Sequence, residues 1–246
     1  MNKTEFLKIA GQYRSQKQKL INDTFLWVSV SIIAMETIAE SDDFLNIKKF
    51  EVPSRVKGKT VKRKPEDLKK IIGLAVNTDL YQSTFIYIVA QFEAFLSDII
   101  SLCLKYDQRK LRMNVSGGAS NKKVDISEVL NCKTQDNIID LIIDKQLGDL
   151  FYAGPKKQRE YIEKVLSVEL EEAQWLNWFE YKATRDLLVH NSGKINSIYL
   201  EKTGEKARGK LNEKIELNKE YFDDALSNIK SMIGRIDKGI RKSVKD

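Results

Sequence analysis

The chain has 246 residues, 42% of them hydrophobic, a formal net charge of +7, two cysteines and one histidine. That length and apolar share suffice for one large domain with a buried core, and they exclude global disorder. The spacing of Cys103 and Cys132 makes neither a disulfide framework nor a zinc-ligand set, and a lone histidine excludes multi-histidine metal sites and H-E-x-x-H proteases.

Gly and Pro are scarce, and apolar residues recur at three- and four-residue spacing, which predicts an all-α chain. The first unit covers residues 4–39. Phe6, Ile9, Tyr13, Leu20, Val28, Ile32 and Met35 fall along one helical stripe, with Asn22-Asp23-Thr24 as a candidate break into two helices. Its most apolar part, residues 25–35 (FLWVSVSIIAM), is about half the length that a bilayer crossing needs. It also begins too deep in the chain for a secretory h-region. No membrane span is therefore expected, and the expected compartment is the cytoplasm.

Residues 51–67 carry two prolines and the basic residues Arg55, Lys57, Lys59, Lys62, Arg63 and Lys64, the composition of an exposed loop or linker. The segment suggests a division into an N-terminal helical region, residues 1–70, and a helical domain, residues 71–246. The strongest helix follows, capped by Asn77 or Thr78 and running to residue 106. It is apolar nearly all round and belongs at the centre of a bundle. Glu93, in its middle, must face solvent, find a partner or line a site.

A second loop, residues 114–124, holds Gly117-Gly118 and Lys122-Lys123. Short helices are expected over 126–130 and 135–147, and Gly154-Pro155 opens another over 156–167. The helix over 170–190 contains Trp175, Trp178, Phe179 and Tyr181, assigned to core or dimer packing ahead of base stacking. It stops at Asn191-Ser192-Gly193. Residues 197–200 read as a short extended piece, and a last helix spans 219–241.

No phosphate-cradling loop and no G-x-S-x-G elbow is present. The sharp feature is Arg185-Asp186-Leu187-Leu188-Val189-His190-Asn191, which contains the single histidine. Phosphodiester cleavage wants such a pair. Neutral imidazole accepts a proton near neutral pH, and a guanidinium holds phosphate oxygens as negative charge builds. RNA supplies its own nucleophile, the 2′-hydroxyl, so one base and one cation suffice without a metal or cofactor. At about 100° per residue, Arg185 and His190 lie roughly 140° apart on an ideal helix. They share a face only if the helix unwinds at its end, or if a two-fold dimer brings two copies of the motif together. The plainer alternative is a histidine that favours the negative end of its helix dipole.

The string RDLLVHN resembles the R-x4-6-H signature of the HEPN superfamily, in which a polar residue follows the Arg. Residues 87–104 (YIVAQFEAFLSDIISLCL) are similar to the family's long helix with its F-E-x-[FY]-L core, and VHNSGKIN to its V-H-N-x-G-x-[IV] turn. The resemblance covers residues 74–241. It implies a HEPN-like bundle preceded by extra N-terminal helices. It further implies a metal-independent endoribonuclease with Arg185 and His190 as the catalytic pair, leaving a 2′,3′-cyclic phosphate and a 5′-hydroxyl. Asp186 would orient the pair, Asn191 would contact phosphate or hold the turn, and Glu93 would reach the site by pairing with Arg185. Such proteins are typically homodimers that act as toxins or phage-defence effectors, with an antitoxin or defence-system partner. Lys62, Arg63, Lys64 and Lys194, with the basic stretch over 230–245, would hold RNA through its phosphates. The family also includes members that do not cleave, so a protein- or nucleotide-binding module is the competing expectation. A DNA-binding regulator fits less well, since no helix-turn-helix signature appears.

Overall fold

The structure, a computed structural model, describes residues 1–47, 50–113 and 124–244. The loop with Gly117-Gly118 and Lys122-Lys123, and the basic end at Lys245, lie outside the described residues. The chain is all-α, as its periodicity predicts, with a single short hairpin among the described residues.

Helix α1 (Lys3–Glu40) starts at Asn2, whose side chain accepts from the Glu5 amide at 2.9 Å. It runs unbroken through Asn22-Asp23-Thr24, contrary to expectation. Thr24 is buried there, and Lys19 pairs with Asp23 one turn on, so packing overrides the local preference of these residues for caps. After α2 (Asp42–Ile47), the stretch expected to be irregular forms an antiparallel hairpin, β1 (Glu51–Pro53) with β2 (Thr60–Lys62). Gly58, at φ +79°, makes its turn.

The next helix begins earlier than its sequence signals suggest. Pro65 occupies the first turn of α3 (Pro65–Leu74), where its missing N–H costs nothing. A π-helical turn, Ala75–Asp79, carries the chain into α4 (Leu80–Tyr106). Asn77 is not a cap but sits inside the helix, donating to the Gly73 carbonyl at 2.8 Å. The expected boundary at residues 70–71 thus falls within α3. Phe6, Ala10, Ile21 and Val28 of α1 pack in the same core as Phe85, Phe92 and Ile99 of α4.

Helix α5 (Ile126–Asn131) opens with a capping box between Asp125 and Glu128, and α6 (Gln135–Tyr152) is capped by Thr134. Then come α7 (Pro155–Leu166), α8 (Glu172–His190), α9 (Ser197–Thr203) and α10 (Lys219–Ser243). Residues 197–200 are therefore helical rather than extended, because Asn196 caps α9 by accepting from the Tyr199 amide at 2.9 Å. Helix α4 is the centre of the core. Its Phe92 ring meets Trp178 of α8 edge-on, centroids 4.6 Å apart, a geometry worth about 0.5–1.5 kcal/mol beyond burial. Trp175, Trp178, Phe179 and Tyr181 are all buried, so the aromatic cluster is core.

Among the described residues two helices, Lys3–Glu40 and Pro65–Tyr106, are long and apolar enough to cross a membrane by length and composition alone. Half of the apolar window of the second is buried inside the protein. In α1 the middle of the helix leaves Leu26, Trp27, Val30 and Ile33 exposed.

Candidate functional site

The last two turns of α8 carry the motif, and three sides of that helix do different things. One side enters the main core through Tyr181 and Leu188. A second side, Ala183 and Leu187, packs with Ile195, Tyr199 and Ile215 in a smaller apolar cluster. The third side holds Lys182, Arg185 and Asp186, all half-buried, and Val189 and His190, both exposed.

The helix does not unwind before His190. Its backbone stays helical to that residue, and Asn191 is the first to leave, at φ −135° and ψ 19°. The amides of Asn191 and Gly193 both donate to the Leu187 carbonyl at 2.9 Å, closing the helix with Ser192 and Gly193 at positive φ. The exit strand is then pinned to residues 212–215: the Ile195 amide donates to Glu213 at 2.8 Å and the Ile215 amide to Gly193 at 2.8 Å. Asn191 donates from Nδ2 to the Lys194 carbonyl, so its side chain holds the turn. Arg185 and His190 consequently stand at the two edges of one accessible arc of roughly 140°, with Asp186 and Val189 between them.

Around Arg185 the charges alternate. Lys182 Nζ lies 3.3 Å from Glu93, and Arg185 Nη2 donates to Glu93 at 2.7 Å. Arg185 Nε is 3.0 Å from Asp186, whose other oxygen is 3.6 Å from Lys202. Three cations thus face two carboxylates, leaving one positive charge in excess. The Nε contact is an ion pair without hydrogen-bond alignment, so that N–H is buried without an acceptor. Lys182 is held further by the Phe151 carbonyl at 3.0 Å. Burial pulls its ammonium below the ordinary lysine value, and the Glu93 charge opposes that pull. His190 makes no hydrogen bond or ion pair among the described residues.

The other residues expected to touch RNA are not gathered here. Lys62, Arg63 and Lys64 sit on the hairpin and at the start of α3. Pro65 and Glu93 are separated by near-continuous helix, about 40 Å at 1.5 Å per residue. Lys194 is in the exit turn, exposed, bridged through its backbone to Lys214. In the C-terminal helix Arg235 is paired with Glu171 and Arg241 with Asp237, so part of that basic stretch is already neutralised. Among the described residues no cluster of His, Cys, Asp and Glu could hold a metal ion.

Sequence reasoning missed what lies behind the motif. Glu180 is 4% exposed yet accepts from Thr184 at 2.6 Å, Tyr199 at 2.8 Å, Tyr221 at 2.6 Å and Arg208 at 2.9 Å. Arg208 also stacks over the Tyr221 ring at 3.5 Å. The network joins α8, α9, α10 and the loop before α10. A run of E-Y-K-A-T-R gives no hint that its Glu is the buried member; only the placement of Tyr199, Arg208 and Tyr221 does. Searches found no matching family model, no curated relative and no solved structure similar to the chain.

Proposed function

We propose that the protein is a HEPN-type, metal-independent endoribonuclease acting in the cytoplasm as a homodimer, in the role of a toxin or phage-defence effector. The observation that carries this reading is the accessible arc at the end of α8. His190, exposed and without a hydrogen bond or ion pair among the described residues, lies at one edge, and at the other lies an Arg185 held by Glu93 with its side chain 20% exposed. In this reading His190, as neutral imidazole, takes the proton of a 2′-hydroxyl, whose oxygen attacks the adjacent phosphorus. Arg185 stabilises the charge on the non-bridging oxygens. The bond to the 5′-oxygen breaks, and a second copy of His190, protonated and facing the first across a two-fold axis, returns a proton to that oxygen. The products are a 2′,3′-cyclic phosphate and a 5′-hydroxyl. Asp186 keeps Arg185 oriented, and Asn191 keeps the turn.

One observation favours the competing reading, a non-cleaving protein- or nucleotide-binding module. Glu93 and Asp186 already neutralise Arg185, and a phosphate must compete with them. An assay in EDTA separates the two. Wild type should cleave single-stranded RNA and spare DNA, and His190→Ala should be slower by a hundredfold or more, the usual size of a lost general base. Retained cleavage by His190→Ala, or no cleavage by wild type, overturns the ribonuclease reading.

A further inference from the structure

Beside the motif, between the end of α6 and the accessible side of α8, lies a cavity of about 130 Å³. This is small against the several hundred Å³ of ordinary small-molecule sites and suits a single planar ring rather than a whole nucleotide. Phe151 and Phe179 contribute its apolar walls, and Lys182, Asp186 and Lys202 its charged groups. Tyr152 stands at the rim, 95% exposed and without a ring partner among the described residues. An aromatic ring left open to solvent, beside two ammonium groups and a carboxylate, is an arrangement for stacking and edge recognition of an unpaired base.

We propose that this cavity holds one unpaired RNA base next to the scissile phosphate, stacked on Tyr152, and that it prefers bases with an exocyclic amino group. The inference rests on the ribonuclease reading and adds a substrate feature to it. Its geometry links the two sites directly, because Asp186 is shared: one oxygen faces Arg185 at 3.0 Å, and the carboxylate also lines the cavity. An ionised carboxylate only accepts hydrogen bonds and has lone pairs beyond those used by Arg185 and Lys202. It therefore matches the amino groups of adenine, cytosine and guanine. Uracil flanks its ring N–H with two carbonyl oxygens, which the carboxylate repels. Lys182 and Lys202 are donors only, and they match the acceptors that all four bases carry, ring nitrogens or carbonyl oxygens.

The test uses DNA oligomers with one ribonucleotide, the bases flanking the cleavable linkage being varied. Wild type is assayed for cleavage, and His190→Ala protein for binding by fluorescence anisotropy. Tyr152→Ala and Tyr152→Phe are made in both backgrounds; a ring this exposed can be removed without loss of the fold. Tyr152→Ala should raise KM and weaken binding about tenfold, the size of one lost base stack, and, with the base no longer held against Asp186, should narrow the discrimination against uracil. Tyr152→Phe should keep both. If wild type cleaves and Tyr152→Ala has an unchanged KM and base profile, the base site is wrong and the ribonuclease reading stands. If wild type cleaves nothing, that reading falls. The binding arm then decides the cavity alone: binding that depends on Tyr152 and on the amino group supports it, and binding indifferent to both overturns it.

Discussion

Arg185 Nη2 donates to Glu93 Oε2 at 2.7 Å and so fastens α8 to α4 at the level of the motif. Both side chains are 20% exposed, so the pair is only partly screened by water. Glu93→Ala leaves Lys182 and Arg185 as neighbouring cations without their shared carboxylate. It should lower stability by about 1–3 kcal/mol, read as a fall in the urea midpoint, with Glu93→Gln intermediate. RNA binding at low salt should tighten in Glu93→Gln if the guanidinium is in competition with phosphate.

The buried Glu180 network sets a larger stability effect. Glu180→Ala leaves Arg208 charged and without its carboxylate beneath α8. The expected cost is about 3–5 kcal/mol in chemical denaturation, well above that of Glu93→Ala. A loss below about 1 kcal/mol would contradict the network's weight.

The same network predicts a weakness in alkali. Burial, aided by the Glu180 charge, pushes the Tyr199 phenol from its ordinary value of 10.0 up to about 12. An acid raised in the folded state favours folding below its unfolded pKa, and that contribution is lost as pH climbs toward the folded value. Melting temperature should therefore fall steeply between about pH 10 and 12, and Tyr199→Phe should flatten that fall while costing about 1 kcal/mol at neutral pH.

Gly193 stands at φ +75° in the turn that ends the motif helix. Gly193→Ala should destabilise by about 1–2 kcal/mol from backbone strain, because a Cβ there finds only ordinary contacts, the nearest at 3.5 Å. Hydrogen exchange should quicken at the last turn of α8. Unchanged exchange there would show that the bridge to residues 212–215 holds the turn unaided.

Dimerisation can be read by mixing. Arg185 and His190 sit at opposite edges of one arc on a helix that stays regular between them, which favours a site assembled from two copies. Mixing wild type with an excess of His190→Ala protein should lower activity below the wild-type share, because a mixed dimer keeps one His190 and lacks the second as proton donor. Activity that tracks the wild-type share alone, with mixed dimers shown to form, would put the site in a single chain.

Helical class, the centrality of α4 and the stop at Asn191-Ser192-Gly193 were legible in the sequence, because apolar spacing and a glycine at a helix end are local signals. The run through Asn22-Asp23-Thr24 was not. Whether those residues cap or continue a helix depends on Thr24 finding a buried place against the bundle. Residues 197–200 misled for the same reason: the cap at Asn196 outweighs a short β-branched and aromatic stretch. In the candidate site, Glu93 stands out as a charge in an apolar helix and Arg185 by its spacing to His190, whereas the role of Asp186 and the pairing of Glu93 with Arg185 are expected only from the resemblance of the motif. Lys182 and Lys202 joined them only when tertiary packing brought α4 and α9 against α8.

Val189, His190 and the neighbouring Tyr152 are exposed, so substitutions there carry little folding penalty, whereas Lys182, Arg185 and Asp186 are held in the half-buried chain of ion pairs. A chain built this way can exchange Val189 or Tyr152 for other residues and remain folded. What it recognises can therefore drift while the scaffold that presents it stays the same.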